Sequence, residues 1–271
     1  MMKINKKKSI LLWVIAFILM AIVAIYQRVS GPTNPIRGSI NYENTELRYK
    51  FLRSNNTGED AKIYIISSNK EINAFAEYKR FKSYDSISTL QLTRSGDSLL
   101  FFVPSQAPAG KVQYHIYLQT NNISKKQYIT EDPVLIRFKG AVPDWILIIH
   151  VVLMFGAMLL AARTFFEALY KGDKAYILTI YTCIFLALGG ILLGPIVQKY
   201  AFGAYWTGWP FGTDLTDNKT IVSLLFWLFA LYKFKKNRTD FKWIIIAFIL
   251  MMVVYLIPHS MLGSELDYTK Q

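Results

Sequence analysis

Cysteine is almost missing from this chain: Cys183 is the single one among 271 residues. That excludes an intrachain disulfide framework and any cysteine cluster around zinc or iron–sulfur. Charge is scarce as well, at 18 % of residues, where an average soluble domain carries about 25 %. There are three histidines, and neither a His-Glu-x-x-His pair nor a Gly-x-Ser-x-Gly nucleophile elbow occurs. What is abundant is apolar: 53 % of residues are hydrophobic. Such a content excludes disorder. Because these residues sit in long blocks, a single water-soluble globule is excluded too.

The first block runs from Ser9 to Tyr26 behind Lys3, Lys6, Lys7 and Lys8. Eighteen uncharged residues approach the ~20 needed to span a bilayer. Ile22-Val23-Ala24 puts a bulky side chain where a signal peptidase prefers a small one. Residues 9–26 are therefore expected to be a retained anchor, with 1–8 as a basic cytoplasmic N-terminus.

Residues 32–140 read differently. Short runs with period-2 alternation are separated by turn residues: Ile36–Tyr42, Glu46–Leu52, Lys62–Ile66, Glu71–Phe81, Ser86–Leu92, Ser98–Val103, Lys111–Gln119 and Pro133–Phe138. Seven or eight strands in about 110 residues suit an immunoglobulin-like β-sandwich without a disulfide.

Four further apolar blocks follow: Trp145–Ala162, Ala175–Val197, Ile221–Tyr232 and Trp243–Ile257. The third is short, but a helix N-capped by Thr216 and opening with Asp217 at the positive end of the dipole lengthens it. The expected fold is thus a membrane α-helical protein. It has one N-terminal anchor and a four-helix transmembrane bundle over 145–258, with an all-β sandwich inserted between them.

Charge orients the set. Segments 1–8, 163–174 and 233–242 hold twelve Lys and Arg, whereas 195–216 and 259–271 hold only Lys199 and Lys270. The positive-inside rule then makes the N-terminus and both basic connections cytoplasmic. The β-domain, the loop 198–216 and the tail 259–271 fall on the outer side of a bacterial inner membrane, the bacterial source resting on the Ile, Lys and Asn usage. The net charge of +13 is explained by this topology and gives no reason to expect nucleic acid as a partner.

Candidate chemistry gathers at the outer rim of the bundle. His150 lies one turn inside the start of its helix and His259 follows Pro258 where the last helix ends. Asp214 and Asp217 come from the outer loop and Glu265 from the tail. Two imidazoles and a carboxylate form a ligand set that a divalent metal accepts, and two imidazoles alone suit haem b. Trp206 and Trp209, in an aromatic loop punctuated by Gly203, Gly208 and Gly212, are candidates to wall a cofactor pocket. The membrane blocks contain no Asp, Glu, Lys or Arg, which weakens a transporter reading. Gly190-x-x-x-Gly194 reads as a helix-packing face. Three functions are open: a metal or redox-cofactor protein of the inner membrane, a non-catalytic scaffold or assembly factor whose β-domain binds an extracytoplasmic protein, and a transporter subunit.

Overall fold

The computed structural model describes residues 1–120, 123–212, 214–257 and 264–270, the side chains of 91, 120 and 123–125 excepted. The chain divides into two compact units. One, helical, comprises residues 1–32, 142–200 and 204–263; the other, sheet-rich, comprises 33–141, 201–203 and 264–271.

The helical unit is built from α1 (Lys6–Ser30), α2 (Asp144–Leu169), α3 (Ala175–Leu186), a π-helical segment (Ala187–Leu193), α4 (Gly194–Phe202), α5 (Leu215–Lys236) and α6 (Lys242–Leu256). Among the described residues, three helices are long and apolar enough to cross a membrane: α1, α2, and the continuous run Ala175–Phe202. The α6 helix is apolar but shorter, at 15 residues. Asn5 caps α1 by accepting a hydrogen bond from the Lys8 amide at 2.8 Å. Leu12, Ala16 and Val23 form the buried stripe of α1, spaced as one helical face requires. Ala16 and Val23 share a core with Ala157, Met158 and Ala161 of α2, Trp227 and Phe234 of α5, and Ile244 and Met251 of α6. The first helix therefore packs against the other helices of this unit.

Small residues govern how closely the helices approach. A Cβ on Gly190 would meet Thr220 Cγ2 of α5 at 2.4 Å, and one on Gly189 would meet Leu153 Cβ of α2 at 2.9 Å. The α5 helix starts one residue before the expected Thr216 cap, because the Asp214 carboxylate reaches the Thr216 amide at 2.7 Å and caps in its place.

The sheet-rich unit has two sheets. The first has strand order β1 (Ile36–Tyr42), β2 (Thr45–Phe51), β4 (Ala61–Ile66), β8 (Ser98–Val103), β7 (Thr93–Ser95). The second runs β3 (Ser54–Asn56), β11 (Val134–Lys139), β9 (Lys111–Thr120), β5 (Ile72–Arg80), β6 (Ser88–Gln91), with β10 (Ile123–Tyr128) paired to β9. Alternate residues of the two sheets meet in one apolar core: Leu47, Phe51, Ile63, Ile65 and Phe101 against Ala74, Ala76, Tyr114, Ile116 and Ile136. All pairings are antiparallel except β11 with β3. The expected run Ser86–Leu92 holds β6, which pairs with β5 in the second sheet; β7, which follows that run and was not expected, pairs with β8 in the first. The chain changes sheets at Leu92, which is buried.

The C-terminal segment completes this unit. The Leu266 amide donates to Ala109 O, the Tyr268 hydroxyl to Gln106 Oε1 at 3.1 Å, and the Arg80 guanidinium lies 4.5 Å from the Tyr268 ring centre.

Candidate functional site

His150 sits in the second turn of α2, half-buried. Its Nδ1 lies 2.9 Å from the carbonyl oxygen of Gly189. A carbonyl only accepts, so Nδ1 carries the hydrogen, and in the neutral ring the lone pair is on Nε2. Gly189 belongs to the π-helical segment, whose altered ladder also brings the Gly194 amide onto the same oxygen. An imidazole held by a backbone carbonyl is the arrangement in which the other nitrogen serves as a metal ligand.

The loop between α4 and α5 folds back onto the start of α5. Asp217 Oδ2 accepts from the amides of Thr207 (2.8 Å) and Gly208 (3.0 Å). Asn218 Oδ1 accepts from the Trp209 amide at 2.7 Å. Thr207 Oγ1 receives a hydrogen bond from Gln198 Nε2 at 2.6 Å and donates to Asp214 Oδ2 at 3.2 Å. Gly208 must be glycine here, because a Cβ would run into Asp217 Cβ and Asn218 Oδ1 at 2.7 Å. Asp214 and Asp217 are thus both brought to Thr207, where they tie the loop to the helix.

This clasp fixes the two tryptophans singled out above. Trp206 donates its indole N–H to Trp209 O at 3.1 Å, across a turn containing a cis Trp209–Pro210 bond. Trp209 itself is 77 % exposed and Phe211 83 %, so Trp209 projects from the loop. Rings presented this way suit the headgroup layer of a membrane.

Of the remaining candidates, Glu265 belongs to the sheet-rich unit, where it makes ion pairs with Lys82 and Lys111. Burial alone would raise its carboxyl, but the two ammonium groups outweigh that and hold it below the usual carboxylate range. His259 lies outside the described residues. Among the described residues, no group of three or more His, Cys, Asp or Glu is gathered as a metal would need.

Sequence reading missed several polar groups. Lys219, buried in α5, donates to Ile257 O at 2.8 Å. Arg163 and Glu167 of α2 are both 1 % exposed, with Nη1 and Oε2 2.7 Å apart. That contact is off the hydrogen-bond direction, and Arg163 Nε faces no acceptor. The i,i+4 spacing of the pair was the available signal, hidden because both residues lie just past the apolar block.

The sheet-rich unit carries a second candidate surface. On its first sheet the outward positions include Arg37, Arg48, Lys50 and Lys62, with Tyr64 and Ile66 between them. Arg37, Arg48, Tyr49, Lys50, Tyr64 and Ile66 line a shallow cleft there. Glu46 is the acidic residue on this face and reaches Arg48 at 3.7 Å. No protein-family model and no curated protein sequence matches the chain.

Proposed function

We propose that this chain is a non-catalytic scaffold or assembly factor of a bacterial inner membrane, holding an immunoglobulin-like sandwich on the extracytoplasmic side to bind a protein partner. The observation that carries the reading is how the polar groups are used. Asp214 and Asp217 of the helical unit are occupied in closing a loop, whereas the outward cations of the first sheet stand together with one acidic neighbour. The hydrogen bond from Leu266 to Ala109 supports the topology, since it joins the C-terminal segment to the β-unit and so suits one side of the membrane for both. The basic connections 163–174 and 233–242 support an inner position for the opposite end.

The test is purification of the full chain after chemical crosslinking in cells, with an absorption spectrum and metal analysis on the same sample. The expected result is a protein joined to lysines of residues 33–141. A stoichiometric metal or a Soret band, with no protein crosslinked to that region, overturns it.

One observation favours the second reading, a metal or haem b site at the rim. The Gly189 carbonyl orients His150 as a ligand-bearing imidazole is usually oriented. His150→Ala should then remove the bound cofactor while the helical content is kept.

A further inference from the structure

The first sheet ends in strands of very different kind. At one edge β7 has three residues; at the other β1 has seven. In the second sheet the end strands β3 and β6 have three and four residues, and β10 breaks register against β9. Short or bulged strands are the usual means of blunting an edge. By contrast, β1 pairs with β2 through seven consecutive residues from Ile36↔Phe51 to Tyr42↔Thr45, with no bulge and no proline. Arg37, Gly38, Ser39 and Asn41 along it are exposed. Among the described residues, β1 is the longest regular edge, and β2 is its partner on one side only.

The outward face behind that edge is basic. Register puts Arg37, Lys50 and Tyr64 in one cross-strand row, and Ser39, Arg48 and Ile66 in the next. A strand added beyond β1 would extend both rows, with its alternate side chains about 5 Å from Arg37 and Ser39. An acidic side chain at those positions meets Arg37 first and Arg48 and Lys50 beyond it.

We propose that β1 receives an extended acidic segment of a partner protein by strand addition, its carboxylates lying over Arg37, Arg48 and Lys50. This rests on the scaffold reading and names its docking site. Backbone hydrogen bonds to the open edge supply affinity, and the basic rows supply the preference for acid.

The test uses the full chain in nanodiscs of uncharged lipid and a labelled seven-residue peptide of alternating glutamate and threonine. Binding is expected, weakened about tenfold by Arg37→Glu with Lys50→Glu and abolished by N-methylation of every second peptide amide. The single variant Lys62→Glu, at an exposed position on the same face, should weaken binding less. An unchanged thermal midpoint identifies variants that remain folded. Equal binding of the N-methylated peptide, or of one with lysine for glutamate, overturns strand addition. So does capture of phosphatidylglycerol vesicles in place of the peptide, which would make the face a lipid surface.

A photocrosslinker placed in cells at Ser39 or at Gln113 separates the two levels of the argument. An acidic segment joined at Ser39 supports the proposal. A partner joined only at Gln113, on the second sheet, overturns the edge site and leaves the scaffold reading standing. No partner at either position overturns both.

Discussion

In the helical unit Arg163, Glu167, Asp214, Asp217 and Lys219 are all buried, while in the β-unit Glu77, Lys126, Arg80 and Asp85 meet across the outside of the fold. The difference follows from the surroundings each unit is built for. An apolar exterior cannot solvate a charge, so these five groups are turned inward, onto backbone or towards one another. The sheets have water on their outer faces, so a charge there needs no partner. The five buried charges of the helical unit are accordingly architectural, whereas on the sheets Lys111 and Arg137 are buried and the outward charges of the first sheet stay open to solvent.

The sharpest way to break this contrast is to remove one half of a buried pair. Glu167→Ala leaves Arg163 buried and uncompensated, and should cost about 3–5 kcal/mol. The double change Arg163→Met with Glu167→Leu should recover most of that loss, because both charges go together. Unfolding in mixed micelles measures both. A Glu167→Ala variant as stable as the parent would show that this site is wet, and the contrast would fail.

Asp217→Ala should rank next. It strands the Thr207 and Gly208 amides; an unmet buried donor costs about 1–3 kcal/mol, and because the Thr207 amide is only part-buried a loss of about 2–4 kcal/mol is expected. Proteolytic cleavage between residues 203 and 214 should appear at the same time. Asp214→Ala should cost less, about 1 kcal/mol, as the loss of an N-cap does. Gly190→Val tests packing instead of charge: its Cβ would stand 2.4 Å from Thr220 Cγ2, and about 1–3 kcal/mol is the usual cost of overpacking. Thr220→Ala in the same chain should relieve part of it.

These sites also mark how far sequence reads. The β-strands were legible because Leu47, Ile63, Ile65 and Phe101 alternate with polar neighbours, and burial on one face imposes that period. The following strand β7 was not, because Thr93-Arg94-Ser95 is short and polar and shows no alternation of apolar residues. The β10 strand was missed because Ser124-Lys125-Lys126-Gln127 carries no alternation. At the rim, Asp217 was legible as a charge at a helix start, but its bonds to Thr207 and Gly208 depend on a loop folding back over ten residues. The partner of His150 is a carbonyl of a π-helical segment, and no side-chain pattern announces that backbone.

Acid should loosen the C-terminal segment of the β-unit. Glu265 is held below its ordinary value by Lys111 and Lys82 against the opposing effect of burial, so its ion pairs stabilise the fold above the unfolded value of about 4.3. That contribution declines as pH falls through the lower folded value. Asp85, held down to about 2 by the Arg80 guanidinium, acts in the same sense. Hydrogen exchange over residues 264–270, corrected for intrinsic rate, should show protection falling from about pH 5 downward. Glu265→Gln should lower protection at neutral pH and flatten the dependence.

The smallest stability effect should come from Glu46→Gln, and it sharpens the contrast most directly. Arg48 and Glu46 approach to 3.7 Å with side chains 73 % and 53 % exposed, and an exposed pair of that kind contributes about 0–1 kcal/mol. The thermal midpoint should therefore barely move, whereas Glu167→Ala, which breaks one ion pair in the other unit, lowers it strongly. The same substitution removes the acidic neighbour from the face of Arg37, Arg48, Lys50 and Lys62, so the acidic peptide should bind more tightly and with a steeper dependence on salt. A large fall in stability, with peptide affinity unchanged, would mean that Glu46 is structural and that charge on the sheet serves the fold as it does among the helices.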